Sequence, residues 1–164
     1  MYGAPFLFYS RGTMEQIVIK SLPEWTALAE HLVALIVRGN IYRERAAIVV
    51  LSGDLGAGKT TFVQALARFL GVQETVQSPT FTIMKQYATT HSALPLLVHM
   101  DAYRIEDRSE LGPLRLTEIC TRPGTLFCIE WGERIKAALP AGVIHLAINH
   151  EQDDVRIVTI TEDW

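Results

Sequence analysis

Short apolar runs recur along this chain, and the strongest end on polar or acidic residues. Ala46-Ala47-Ile48-Val49-Val50-Leu51 is the first. Its β-branched content and shortness mark a buried strand, because a buried helix needs a longer run. Leu96-Leu97-Val98-His99-Met100 has the same character and ends on Asp101. Thr125-Leu126-Phe127-Cys128-Ile129 repeats it and ends on Glu130. Weaker strand patterns lie at 16–20, 82–87, 143–149 and 155–161. The first reads as peripheral, and the last two as an antiparallel pair turning at 151–154.

Helical spacing fills the gaps. Trp25, Leu28, Ala29, Leu32, Leu35 and Ile36 recur every three or four positions, on one helix face. Ser21 with Glu24 has the pattern of a capping box, Pro23 suits a first turn, and Gly39 suits the residue that closes a helix. The expected helix spans 22–38, and a second covers 61–70 before Gly71. Residues 104–122 predict one or two short helices broken near Gly112-Pro113. A short helix is expected over 133–136, and Leu139-Pro140 breaks it. Strands alternating with helices predict an α/β fold.

A chain of 164 residues is one domain of ordinary size, and 49% hydrophobic content supports a real core. No run approaches the ~18 apolar residues of a membrane span. The net charge of −3 is scattered, so direct DNA binding is not expected, and any RNA would be held by a partner. Cys120 and Cys128 lack metal or disulfide-framework spacing, which suits a reduced cytoplasm; Cys128 reads as a small core residue. Residues 1–13 lack the basic and apolar regions of a secretory signal. They read as an N-terminal extension ahead of a single domain over 14–164, with Met14 an alternative start.

The chemistry enters at Gly53-Asp54-Leu55-Gly56-Ala57-Gly58-Lys59-Thr60, a full G-x-x-x-x-G-K-[ST] P-loop between a strand and a helix. Glycines there turn backbone N–H groups onto phosphate oxygens, and the helix dipole adds positive charge. The implied ligand is a nucleoside triphosphate with Mg²⁺. Asp54, Gly56, Ala57, Gly58, Lys59, Thr60 and Thr61 form the expected phosphate-holding set. Lys59 reaches the β- and γ-phosphates and the Thr60 hydroxyl holds the metal. Ligands of open α/β sheets sit at the carboxyl ends of strands, where Asp101 and Glu130 stand. Glu130 suits a metal-holding acid. Asp101 suits either a metal-bound water or the attacking one; each acid alone can also be a solvent-facing strand end.

Other residues keep two readings. Ser78-Pro79-Thr80 either senses the γ-phosphate or is a plain Ser-Pro turn, and spacing alone favours the turn. Trp131 packs beside a nucleotide or in the core, and the pattern favours the core. His99 reads as a hydrogen-bonded structural histidine rather than a catalyst. Arg104, Arg108, Arg115 and Arg122 form a phosphate lid or a solvated face, with the solvated face the default.

The ordered set of P-loop, Ser78-Pro79-Thr80-Phe81, His99-Met100-Asp101-Ala102-Tyr103-Arg104 and Ile129-Glu130-Trp131 resembles the TsaE (formerly YjeE) family of small bacterial P-loop ATPases. The resemblance covers 17–161. It implies a P-loop NTPase three-layer sandwich, with a parallel core sheet and flanking antiparallel strands. It implies an ATPase that acts with TsaB and TsaD in making tRNA threonylcarbamoyladenosine, the tRNA engaged through the complex. Carried across, Lys59 and the loop amides hold ATP, Thr60 and Glu130 bind Mg²⁺, and Asp101 and Thr80 match positions needed for ATPase function. Leu22 and Pro23 lie by the adenine. Trp25 replaces a threonine common in relatives, and Gly132 a proline that many relatives carry. A small-molecule P-loop kinase and a non-hydrolytic assembly switch are the competing readings.

Overall fold

Three apolar strands lie side by side because each is packed on both faces. The computed structural model describes residues 14–162, so the extension expected over 1–13 lies outside the described residues. In chain order the elements are β1 (Glu15–Ile19), α1 (Leu22–Gly39), β2 (Ala47–Ser52), α2 (Lys59–Phe69), β3 (Met84–Ala88) and β4 (Leu96–Asp101). Then come α3 (Leu116–Cys120), β5 (Thr125–Glu130), β6 (Ile144–His150) and β7 (Arg156–Glu162). The strands form one sheet in the order β1-β7-β6-β2-β5-β4-β3. The inner strands β6, β2, β5 and β4 are parallel. Antiparallel β3 flanks one side, and antiparallel β7 and β1 the other.

Strand periodicity sorts side chains into two layers. Leu126 and Cys128 of β5 join Leu97 of β4 in a cluster with α1 and α2. Phe127 and Ile129 face the other way, with Leu111, Leu116, Ile119 and Ile135. Parallel strands buried on both faces carry near-continuous apolar runs, which is the pattern of β2, β4 and β5.

Local chemistry departs from the sequence expectation in four places. Ser21 is the N-cap of α1, but its side chain makes no capping bond. The Glu24 carboxylate instead accepts the Lys20 N–H, one residue further out. Gly39 stays helical, and Asn40 takes the left-handed conformation at φ 56°. The break in 104–122 falls at Arg115, also left-handed at φ 50°, because a 3₁₀ turn over Arg108–Leu114 absorbs Pro113. Asp107 and Glu110 cap that turn with a reciprocal box. Finally, β6 does more than pair with β7. It also pairs parallel with β2, and so brings the tail hairpin against the P-loop.

Candidate functional site

The end of β2 and the start of α2 build the first wall of the site. Gly53 follows Ser52 at φ 140°, and a Cβ there would stand 2.2 Å from the Ile148 carbonyl oxygen of β6. Only glycine makes that turn against a neighbouring backbone. The Ala57 N–H closes the loop onto the Asp54 carbonyl at 3.1 Å. Gly58 is the N-cap of α2 at φ 115°. The N–H groups of the following helical turn lack intrahelical partners and concentrate the positive end of the helix dipole.

Lys59 is only 5% exposed. Its Nζ donates to the Gly53 carbonyl at 2.6 Å and the Asp54 carbonyl at 2.9 Å. The same nitrogen stands 4.1 Å from the centre of the Trp131 ring, a cation–π contact. Burial pushes the Lys59 ammonium below its ordinary pKa, while the Glu130, Glu133, Asp101 and Asp54 carboxylates pull it back up. Trp131 reaches this place from a left-handed backbone at φ 58°. Its other neighbour is Tyr103, at 5.2 Å between ring centres.

The acids form the opposite wall. Asp101 of β4 and Glu130 of β5 are register partners, so they stand side by side at the carboxyl edge. They are 5% and 3% exposed, which rules out solvent-facing strand ends. Glu130 Oε1 accepts from Thr60 Oγ1 at 2.8 Å and lies 2.8 Å from His99 Nε2. Asp101 Oδ2 accepts from Ser78 Oγ at 3.0 Å and Thr80 Oγ1 at 2.8 Å. Its Oδ1 accepts the Tyr103 N–H at 2.9 Å. Gly56, Gly58, Lys59, Thr60, Thr61, Ser78, Thr80, Asp101, Glu130, Trp131 and Leu55 line one cleft of about 230 Å³.

Residues 19–158 match the family model described as threonylcarbamoyl adenosine biosynthesis protein TsaE. This chain belongs to the TsaE family. It is 44% identical over 114 residues to the tRNA threonylcarbamoyladenosine biosynthesis protein TsaE of Bacillus subtilis, covering 70% of this chain and 68% of the relative. The protein of the same name from Treponema pallidum is 38% identical over 117 residues, covering 71% and 83%. That from Haemophilus influenzae is 33% identical over 122 residues, covering 74% and 75%. The crystal structure of Bacillus subtilis YdiB superposes with a TM-score of 0.72 at 28% identity, covering 95% of this chain and 90% of that one.

Against that TsaE-family background, the fold brings Gly56, Gly58, Lys59, Thr60, Thr61, Thr80, Asp101 and Glu130 to one cleft. Asp54 contributes its carbonyl to Lys59, and buried Ala57 supports the loop from beneath. Leu22 opens α1 as an exposed side chain and does not line this cleft. Three residues were undervalued by pattern alone. Trp131 packs against the core as the pattern favours, but its left-handed backbone also turns the ring onto Lys59. Ser78 and Thr80 are not a plain turn, since both hydroxyls bind Asp101. Hydroxyls two apart on a loop facing an acidic strand end were the available signal.

None of Arg104, Arg108, Arg115 and Arg122 lines this cleft. Arg108 donates to the Ala137 carbonyl, Arg115 pairs with Glu118, and Arg104 stacks on the exposed Phe81 ring. The donor set fits magnesium, which takes one or two carboxylates and relies on phosphate oxygens and waters for the rest. Thr60, Glu130 and Asp101 offer hard oxygen donors, and among the described residues no cluster of three metal-binding side chains competes for a softer ion. No helix of the described residues is long and apolar enough to cross a membrane.

Proposed function

We propose that this chain binds ATP with Mg²⁺ and hydrolyses it in support of tRNA threonylcarbamoyladenosine biosynthesis in the cytoplasm, acting with TsaB and TsaD. The observation that carries the reading is the convergence of Lys59, Thr60, Thr80, Asp101 and Glu130 on one cleft at the P-loop. The amides of the loop and Lys59 hold the phosphates, with Lys59 exchanging the Gly53 and Asp54 carbonyls for phosphate oxygens. Thr60 and Glu130 hold Mg²⁺, with Asp101 beside them. Bound magnesium neutralises charge on the phosphate oxygens. Asp101 is held by Ser78, Thr80 and the Tyr103 amide, which suits an acid that aligns the attacking water. Thr80 then couples the γ-phosphate position to its own loop. The family membership supports the TsaB and TsaD partnership, and the net charge of −3 supports indirect engagement of tRNA.

The test is ATP–Mg²⁺ binding by calorimetry, and turnover with and without TsaB and TsaD. Wild type binds, and its turnover rises with the partners. Lys59→Ala loses binding by at least about tenfold, since a charge-assisted contact contributes about 1.5–3 kcal/mol. Unchanged affinity in Lys59→Ala would sink the reading. A small-molecule kinase needs cationic side chains over the phosphates, which Arg108 and Arg115 do not supply from their present partners. An assembly switch without hydrolysis predicts that tRNA modification continues in a Glu130→Ala variant that does not turn over ATP.

A further inference from the structure

His99 is fully buried in β4, at 0% exposure. It lies two residues before Asp101, so it faces the same layer as Asp101 and α2. Leu97, Leu126 and Cys128 of that layer are apolar. An apolar residue at 99 would pack there without a polar atom to satisfy. The His99 Nδ1 has no hydrogen-bond partner among the described residues, so the imidazole carries a desolvation cost. Its polar return is the 2.8 Å contact from Nε2 to Glu130 Oε1, where the carboxylate accepts and Nε2–H donates. Thr60 donates to the same oxygen from α2. Both bonds fall on Oε1, which leaves Oε2 without a hydrogen bond among the described residues.

We propose that His99 is a positioning residue that fixes the Glu130 carboxylate from the sheet side and thereby sets its affinity for magnesium. The inference rests on the reading of Glu130 as a magnesium ligand. Of the two donors to Glu130, Thr60 belongs to the ligand-facing wall and has a metal contact of its own to make. His99 stands behind the acid, in the sheet, where no ligand moves it. Hydrogen-bonded partners that orient a metal-binding carboxylate typically change metal affinity by about 10–100-fold when removed.

The experiment compares full-length wild type with His99→Leu, His99→Gln and His99→Asn. A fluorescent ATP analogue reports nucleotide affinity in EDTA and across a magnesium titration, and thermal melting reports the fold. His99→Leu is expected to raise the magnesium needed for half-saturation by about tenfold or more, while affinity in EDTA stays within about threefold, a margin of ~0.65 kcal/mol. His99→Gln, whose amide N–H reaches as far as Nε2, restores most of the magnesium dependence. His99→Asn is polar but too short, and behaves as His99→Leu; it carries the test if the leucine variant does not fold. A His99→Leu or His99→Asn protein with wild-type magnesium dependence overturns the proposal. So does an equal loss with and without magnesium, which is the mark of a merely structural role. If wild type binds no ATP–Mg²⁺, the site reading beneath fails first and takes the proposal with it.

Discussion

Gly58 carries two constraints that can be separated. Its φ of 115° lies where L side chains rarely go, and an added Cβ would stand 2.9 Å from the Trp25 ring. That ring is buried and packs on Phe62 at 5.9 Å between centres, so it has little room to retreat. In Gly58→Ala the backbone strain costs about 1–3 kcal/mol. The overlap with a packed ring adds about 1–3 kcal/mol. A total of about 2–6 kcal/mol lowers the melting temperature by about 4–24 °C for a domain of this size. Circular dichroism melts and urea unfolding measure it without any ligand. Pairing the change with Trp25→Leu removes the overlap but not the strain, so in that background the penalty falls to about 1–3 kcal/mol. A Gly58→Ala protein melting within a degree of wild type would refute the strain argument. A penalty unchanged by Trp25→Leu would refute the ring contact.

Three further outcomes follow from the same geometry. Asp101→Asn can keep one oxygen accepting from Ser78 and Thr80, but it removes the charge and the acceptor for the Tyr103 N–H; it should slow ATP turnover by about 10²–10⁴-fold with nucleotide affinity nearly intact, and turnover within tenfold of wild type would count against the role of Asp101. Arg156 Nε donates to the Ala57 carbonyl at 3.0 Å, tying β7 to the P-loop; Arg156→Met should cost about 0.5–1.5 kcal/mol in urea unfolding, with weaker nucleotide binding. Lys59 has its pKa lowered by burial from 10.5, so the unfolded chain holds that proton more tightly than the folded one. Stability therefore rises with pH between the lowered folded value and 10.5. Wild type should gain on Lys59→Met across that alkaline window, and parallel melting curves for the two proteins would contradict it.

The strands and the P-loop were legible because their signals are local. Apolar runs of a few residues, bounded by acids and glycines, can hardly be anything but buried strands. The residues that escaped depend on backbone turns that pattern does not encode. Trp131 sits one residue beyond a buried strand and packs on the core as alternation predicts, but a left-handed φ of 58° also brings the ring over Lys59. Helix closure at Asn40 rather than Gly39 reflects a second residue type that tolerates that conformation. Ser21 and Glu24 matched a capping pattern, yet Glu24 found the Lys20 amide first. The place of β6 beside β2 is a tertiary fact, because an alternating strand fits the edge or the interior equally well.

Why the acids meet at all is a matter of register. Asp101 pairs with Glu130, His99 with Cys128, and Leu97 with Leu126 along β4 and β5. The side-chain period of a strand is two, so His99 and Asp101 share one face and Glu130 shares it with Cys128. A slip of one residue in either strand would turn its acid toward the opposite layer, away from Thr60. Phe127 and Ile129 resist such a slip, since it would drive them into the layer filled by α1 and α2. The hydrophobic sorting of the sheet thus sets the chemistry of its edge. The same apolar residues that bury β4 and β5 set two carboxylates side by side at the mouth of the P-loop, with His99 buried behind Glu130.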